Sequence, residues 1–205
     1  VDRILLDLGL SSFQLDISGR GFSFSKDEPL LMTMKKNPTD NDLTATDIVN
    51  TWEEKSLADI IYGFGEEKYS RRIAKAIVEA RKDKRIETTF NLVEIIDKAV
   101  GKSYRGLKIH PATRTFQALR IAVNSELSGL ETAIQKGFNY LSTGGRMAII
   151  TFHSLEDRIV KRAFVAIKEK GNANIITKKP IIPSEEERII NPRSRSAKFR
   201  IIEKI

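Results

Sequence analysis

The sequence of 205 residues contains no cysteine, and this absence excludes several kinds of chemistry at once. A chain without thiols forms no disulfide, holds no metal through thiolates and offers no cysteine nucleophile. Histidine is almost as scarce, since only His110 and His153 occur. Because zinc and related metals rely on these two residue types, we predict that the protein has no metal centre.

Long apolar runs are also missing. A membrane helix needs ~20 consecutive apolar residues, and the runs in this chain are far shorter. The first residues lack the basic, apolar and small regions of a signal peptide, so we expect a cytoplasmic protein that enters no membrane. With 40% hydrophobic residues and no proline-rich or serine-rich stretch, the chain can bury a core as one domain, or as one domain with an insertion.

Negative charge is in the minority. The chain has 35 Lys and Arg against 27 Asp and Glu, which gives a net charge of +8 and a pI near 9.6. Such a balance favours a polyanionic partner, RNA or DNA. Charge alone leaves the matter open, because many basic proteins bind no nucleic acid.

Two apolar segments have the length and continuity of buried strands. Residues 4–8 and 147–152 each read as a parallel strand that is covered on both faces. Polar residues follow both segments, Asp7 to Ser12 after the first and His153 to Asp157 after the second. In an open parallel sheet both junctions lie at the carboxyl edge, where ligands bind. Ser154 and Asp157 have capping-box spacing, so for this pair helix capping is the alternative to a role in the site.

Helical periodicity dominates the middle of the chain. Residues 13–42 look irregular, whereas residues 43–108 read as a small all-α subdomain that begins with a capping box at Thr44 and Asp47. Pro111 suits the first turn of a further long helix, which we expect to break near Ser128-Gly129.

Basic residues are concentrated in two places. In the helical subdomain they include Arg71, Arg72 and Lys75, for which a solvated helix face is the alternative to a nucleic-acid surface. The tail from residue 175 to residue 205 suggests two more strands around a polar excursion. Its guanidinium groups between Arg193 and Arg200 suit phosphate contacts, or else protect an edge strand from aggregation.

Seven short segments stand out in order along the chain: Leu5-Leu-Asp-Leu-Gly-Leu-Ser-Ser12, Arg20-Gly-Phe-Ser-Phe24, Gly65-Glu-Glu67, Ser70-Arg-Arg-Ile-Ala74, Thr113-Arg-Thr-Phe-Gln-Ala-Leu-Arg-Ile121, Phe152-His-Ser-Leu-Glu-Asp-Arg158 and Asn191-Pro-Arg-Ser-Arg-Ser-Ala197. Together they resemble the MraW/RsmH family over essentially the whole chain. Members are bacterial methyltransferases that use S-adenosylmethionine to methylate the exocyclic N4 amine of a cytidine in the decoding centre of 16S rRNA.

The resemblance implies a Rossmann-like class I methyltransferase fold, an α/β fold, interrupted by an inserted all-α subdomain. Residues 1–42 and 109–205 would form the methyltransferase domain, and residues 43–108 the helical insertion, which we expect from its charge and position to recognise RNA. In the family, the first strands and the glycine-rich cofactor loop lie upstream of the segment that resembles residues 4–12. We therefore expect the chain to match the C-terminal two-thirds of a longer enzyme and to need the missing N-terminal segment for activity.

Site residues follow from the same resemblance. Asp7 and Gln14 would contact S-adenosylmethionine. The exocyclic amine of cytidine is a poor nucleophile, so catalysis should come from positioning and from groups that accept hydrogen bonds as charge develops. The candidates are Asp7, Ser11, Ser12 and His153, the last as proton acceptor or as orienting group. The absence of cysteine excludes the covalent mechanism of carbon-5 methyltransferases.

The expected partner is the rRNA of the small ribosomal subunit, and self-association as a homodimer is left open. We expect the RNA backbone to contact these residues: Arg71, Arg72, Lys75, Arg114, Arg193 and Arg195. Two other classes of protein stay in consideration. One is a catalytically silent RNA-binding or ribosome-assembly protein without the cofactor half, and the other is a methyltransferase that acts on DNA or protein.

Calorimetric titration of S-adenosylmethionine tests the cofactor prediction. We expect no binding to the 205-residue chain and binding to a version extended upstream to the first strand, because the glycine-rich loop holds the cofactor. Tight binding to the 205-residue chain would contradict this, and would mean that Asp7, Gln14 and their neighbours form a sufficient site.

Overall fold

The computed structural model describes residues 1–104, 106 and 109–205. The helices and strands in chain order are β1 (Arg3–Asp7), α1 (Ser12–Asp16), α2 (Ala45–Thr51), α3 (Glu54–Gly63), α4 (Ser70–Asp83), α5 (Thr89–Val100), α6 (Ala112–Asn124), α7 (Glu126–Tyr140), β2 (Arg146–Thr151), α8 (Ser154–Glu169), β3 (Ala173–Ile175), α9 (Glu185–Ile190) and β4 (Lys198–Lys204). Short 3-10 helices span Gly101–Tyr104 and Pro192–Ser196. None of the helices in the described ranges is long and apolar enough to cross a membrane.

Contacts divide the chain into two compact units. The first unit comprises residues 1–9 and 126–205, and the second comprises residues 10–125. Each unit has its own hydrophobic core. The predicted insertion, residues 43–108, falls within the second unit, which also takes in the preceding loop and α6. Residue 108, where we place the end of the insertion, lies outside the described residues.

The first unit is built on a four-stranded sheet with the strand order β1-β2-β4-β3. β1 and β2 are parallel, with Arg3 opposite Arg146 and Asp7 opposite Ile150, so the predicted parallel pair is confirmed. β4 runs antiparallel to both β2 and β3. Of the two strands predicted between residues 175 and 205, β4 is confirmed, whereas β3 lies earlier than predicted and ends at Ile175.

The prediction that β1 is covered on both faces is wrong for this unit. Ile4 and Leu6 are half-buried against the core of the sheet, whereas Leu5 points to the other face and is 63% exposed. Of the described strands, only β2 pairs with β1, which therefore lies at an edge of the sheet. A continuous apolar run does not reveal whether one face or two faces are covered, and this explains the error.

Helices α7 and α8 supply most of the core around the sheet. Leu130, Ile134 and Phe138 on α7 are buried, and so are Val160 and Phe164 on α8. Their spacing of three or four residues places them on one face of each helix, where they meet the buried side chains of β2 and β4. The apolar faces of these two helices thus fix the sheet and its edges.

The break that we predicted near Ser128-Gly129 occurs three residues earlier. Helix α6 ends at Asn124, Ser125 adopts a left-handed conformation with φ of 50°, and α7 runs through Gly129 without interruption. The amide of Asn124 donates to the carbonyl of Arg120 and so stabilises the end of α6. Tertiary packing of α7 outweighs the low helix propensity of one glycine, which costs only about 1 kcal/mol.

The second unit consists of helices and a long ordered loop. Thr44 caps α2 as predicted and forms the reciprocal capping box with Asp47, and Thr88 caps α5. The region predicted to be irregular contains the short helix α1. The rest of the loop is well packed, because it contributes Leu30 and Met32 to the core.

An ion pair between α8 and β4 stabilises the first unit. The carboxylate of Asp157 accepts hydrogen bonds from Nε of Arg200 at 2.6 Å and from Nζ of Lys198 at 3.1 Å. Burial pushes the pKa of Asp157 up, but the hydrogen bonds from Arg200 and Lys198 outweigh burial and hold the pKa below its ordinary value of 3.8. The stabilisation is therefore fully present above the unfolded pKa and is lost as the pH falls through the folded pKa.

We predict that Asp157→Asn lowers the free energy of unfolding by about 3 kcal/mol at pH 7, because Arg200 is left buried without its partner. The difference from the unmodified protein should begin to shrink as the pH falls below the ordinary pKa of 3.8 and should shrink further as the pH falls through the lower folded pKa of Asp157. Chemical denaturation at a series of pH values measures this. The control is Asp59→Asn, which removes an exposed ion pair with Lys55 and should change little. A pH-independent difference would contradict the prediction.

Candidate functional site

The carboxyl edge of β1 and β2 lies within the first unit and carries polar side chains from both strand ends. The N–H of Leu8 donates to the carbonyl of Ile150 at 3.1 Å, which continues the pairing of the strands beyond Asp7. Gly9 has φ of 92°, and a Cβ added there would lie 3.7 Å from Cδ2 of Phe152. A positive φ is strained for residues with a side chain, which is why glycine follows the strand.

Asp7 is exposed at this edge, and no side chain in the described ranges pairs with its carboxylate. His153 lies two residues beyond the end of β2 at the same edge. These two predicted site residues therefore follow neighbouring parallel strands at the same edge of the sheet.

His153 is the residue that caps α8. Its Nδ1 accepts the N–H of Glu156 at 3.4 Å, and the Oε2 of Glu156 accepts the N–H of His153 at 3.3 Å and that of Phe152 at 2.8 Å. The capping box is therefore His153 with Glu156, and the alternative of a capping pair formed by Ser154 and Asp157 is wrong. The helix begins at Ser154, one residue earlier than a cap at Ser154 requires.

The same contacts hold the imidazole of His153 in one orientation. Its Nε2 is buried and lies 3.1 Å from Oε1 of Glu156, without a hydrogen bond of good geometry. Since Nδ1 is the acceptor, the hydrogen-bond network assigns the proton of the neutral ring to Nε2. This arrangement favours an orienting group over a proton acceptor, the two roles that the sequence left open.

Glu126, at the start of α7, completes a cluster with His153 and Glu156. One ligand atom from each residue lies within 4.8 Å of the other two, which is close enough to hold a metal ion. Glu156 already accepts two backbone N–H groups, so we interpret the cluster as a network that fixes the imidazole. Sequence reasoning missed Glu126, because no local pattern links it to a histidine 27 residues away.

The other predicted site residues belong to the second unit. The hydroxyl of Ser11 accepts the N–H of Gln14 at 3.3 Å, and Oε1 of Gln14 accepts the N–H of Ser11 at 2.9 Å, so these residues form a capping box for α1. The side-chain NH2 of Gln14 is left as a donor. Ser12 is exposed in the first turn of α1.

The predicted RNA-binding residues are exposed or partly exposed. Arg71, Arg72 and Lys75 lie on the solvent face of α4, and Arg114 lies on α6 with Nη1 3.4 Å from the carbonyl oxygen of Glu66. In the first unit, the 3-10 helix Pro192–Ser196 exposes Arg193 and Arg195.

Two cations of the basic segments have structural roles instead. Arg200 is buried with Asp157, so it does not belong to the exposed group in the tail. Arg81 donates to the carbonyls of Val49 and Trp52 at 2.9 and 2.8 Å, at the end of α2. Spacing along the sequence cannot separate such cations from exposed ones.

A buried carboxylate lies under the basic surface of the second unit. Glu67 is fully buried, its Oε1 accepts the N–H of Tyr69 at 2.7 Å, and its Oε2 accepts the hydroxyl of Tyr104 in a short hydrogen bond. Burial, together with donation to Glu67, raises the pKa of Tyr104. Sequence reasoning gave Glu67 no role, because its partner Tyr104 is 37 residues away.

The turn around Glu67 is held tightly. A Cβ at Gly65 would lie 2.5 Å from the carbonyl oxygen of Arg114 and 2.6 Å from that of Ile61, so only glycine fits. Glu66 adopts a left-handed conformation with φ of 51°. Close packing and the buried carboxylate together fix the path of the chain from α3 to α4.

We predict that Tyr104→Phe lowers the free energy of unfolding by about 1–3 kcal/mol, because a buried oxygen of Glu67 loses its donor. Urea denaturation measures the effect. Tyr140→Phe makes the same chemical change at a side chain that is 75% exposed, and it should be neutral. Equal stabilities of Tyr104→Phe and the unmodified protein would show that the contact with Glu67 contributes nothing.

An open sheet with polar side chains at the carboxyl edge of its parallel strands, on a chain that also carries a basic helical unit, is compatible with the methyltransferase fold. The comparison with family models makes the assignment specific: the chain belongs to the MraW methylase family, whose model matches residues 1–205.

Curated relatives support this assignment. The ribosomal RNA small subunit methyltransferase H of Synechococcus elongatus is 54% identical over 202 residues, which are 98% of this chain and 65% of that protein. The protein of the same name from Synechocystis sp. is 54% identical over 204 residues, 100% of this chain and 64% of the relative. The one from Deinococcus deserti is 52% identical over 205 residues, with shares of 100% and 65%. The chain thus spans just under two-thirds of the length of these relatives.

Proposed function

We propose that this protein takes part in methyl transfer from S-adenosylmethionine to the exocyclic N4 amine of a cytidine in the decoding centre of 16S rRNA. The observation that carries the proposal is the 54% identity over nearly the whole chain to relatives named as ribosomal RNA small subunit methyltransferases. The methyl donor, the base and the position in the rRNA come from the resemblance of the motifs to the MraW/RsmH family.

The residues at the sheet edge and in α1 have the chemistry that S-adenosylmethionine requires. The exposed carboxylate of Asp7 can accept hydrogen bonds from the hydroxyl and ammonium groups of the cofactor, and its charge offsets the sulfonium. Gln14 offers its side-chain NH2 as a donor, since Oε1 is already bound to the N–H of Ser11. When bound, the cofactor supplies an electrophilic methyl group. Asp7 and Gln14 are the residues that we assign to holding it.

The weak nucleophilicity of the cytidine amine sets the task for the remaining residues. Its lone pair is delocalised into the ring, so the protein must hold the amine in line and accept hydrogen bonds from it. Asp7 is the charged acceptor, and the hydroxyls of Ser11 and Ser12 are neutral ones. We assign His153 an orienting role, because Glu156 and the cap of α8 fix its ring.

RNA binding falls to the exposed cations of both units. The proposed phosphate contacts are Arg71, Arg72, Lys75, Arg114, Arg193 and Arg195. Phosphate contacts of this kind release counterions, so affinity should fall as salt concentration rises. A target base in irregular or single-stranded RNA is the easiest to extract, because less stacking has to be broken.

We predict that the protein, as its own cells produce it, transfers labelled methyl groups to small ribosomal subunits and not to DNA or protein. Nuclease digestion and mass spectrometry should identify N4-methylcytidine. Asp7→Asn should reduce the rate about 100-fold, because a charged acceptor becomes a neutral amide. Asp2→Asn changes an exposed acid at the opposite end of β1 and serves as the matched control.

Other outcomes would identify a different protein. Label in DNA or protein substrates would contradict the proposed substrate. Tight binding to the subunit without any transfer would instead indicate a silent RNA-binding protein.

A further inference from the structure

A groove of about 520 Å³ lies in the second unit, between α3 and the start of α4. The side chains that matter for its chemistry are two tyrosines, Tyr62 and Tyr69, and three cations, Lys68, Arg71 and Arg72. Pockets of this size accommodate a small organic ligand. Aromatic rings next to cations are the combination that binds unstacked bases of single-stranded nucleic acid.

Tyr62 provides an aromatic surface that the protein itself leaves uncovered. The side chain is 66% exposed, and no described residue forms a hydrogen bond or ring contact with it. Tyr69 is half-buried, and its ring centroid lies 6.1 Å from that of Tyr104. One ring is thus anchored in the unit, while the other is open to a planar partner.

Two cations of the groove lie against the ring of Tyr69. Nζ of Lys68 lies 4.8 Å from the centroid of Tyr69, and Cζ of Arg72 lies 5.8 Å from the same centroid. Arg71 is exposed beside them. Asp59 also lines the groove, but its carboxylate is paired with Lys55 at 2.8 Å. The groove is therefore net positive.

The turn beneath the groove is closely packed. Buried Glu67 accepts the N–H of Tyr69, and a Cβ at Gly65 would lie 2.5 Å from the carbonyl oxygen of Arg114. The backbone of Tyr69 is thus hydrogen-bonded to the protein before any ligand arrives. Preorganisation of this kind reduces the entropy that binding costs.

We propose that this groove binds one unpaired nucleotide of the RNA substrate, with the base stacked on Tyr62 and neighbouring phosphates bound by Lys68, Arg71 and Arg72. The proposal deepens the proposed function and rests on it for the identity of the nucleic acid. Paired bases have both faces covered by their neighbours, so the open ring of Tyr62 selects single-stranded or looped RNA. The contribution of stacking is sequence-tolerant, because every base has a flat face.

Fluorescence anisotropy with two labelled probes tests the proposal: a single-stranded RNA of ten mixed pyrimidines and a perfectly paired RNA duplex of ten base pairs. Tyr62→Ala should weaken binding of the single strand roughly tenfold and leave duplex binding unchanged. Tyr62→Phe keeps the ring and should bind like the unmodified protein. Tyr140→Ala removes an equally exposed tyrosine of the first unit and serves as the control.

Salt dependence separates stacking from charge. Tyr62→Ala should leave the slope of log affinity against log salt unchanged, whereas the double variant Arg71→Gln and Arg72→Gln should reduce its magnitude by about 1.4 on single-stranded RNA. If Tyr62→Ala binds the single strand as tightly as the unmodified protein, or loses duplex binding equally, the groove proposal is overturned. An unchanged slope in the double variant would overturn the assignment of Arg71 and Arg72 as phosphate contacts.

Methyl transfer to small subunits distinguishes this failure from failure of the proposed function. If the protein is active and Tyr62→Ala changes neither its RNA binding nor its activity, the proposed function stands and the groove proposal is overturned. If the protein binds single-stranded RNA through Tyr62 but methylates no RNA, the groove proposal stands and the proposed function is overturned. Binding of an acidic peptide to this groove by a protein that binds no RNA there would overturn the groove proposal in favour of a protein partner.

Discussion

The parallel pairing of β1 with β2 is the constraint on which the candidate site depends. The two strands are about 140 residues apart in the sequence, and their register places Asp7 opposite Ile150. A shift of one residue would turn every side chain of β1 to the other face of the sheet. Buried Met147 and Ile149 anchor β2 in the core. Because β1 pairs with β2 in this register, they also determine where Asp7 lies along the strand direction relative to the end of β2.

Local patterns in the sequence were sufficient for much of this fold. The two parallel strands, the cap at Thr44 and the last strand of the tail all follow from signals a few residues long. The prediction that the polar strand ends share an edge required only the rule for open parallel sheets. These features are reliable because local propensity and global packing agree.

The features that sequence reasoning missed depend on distant partners or on single-residue shifts. Glu67 acquires its role from Tyr104, and Glu126 acquires its position beside His153 from the packing of α7. Capping-box spacing in the sequence places the cap of α8 at Ser154, one residue too late, because serine is a common capping residue and histidine an uncommon one. The exposed and structural cations could be told apart only by burial, as Arg200 illustrates.

The double use of His153 links the integrity of the fold to the chemistry of its surface. One ring nitrogen closes the first turn of α8, and the other faces the carboxylate of Glu156. Serine, asparagine and aspartate can replace the cap, but none of them has a second nitrogen to present on the far side of a rigid ring. Replacement of His153 by one of these residues would therefore keep the cap of α8 and lose the contact between the ring and Glu156, so selection for folding alone would not maintain a histidine at this position.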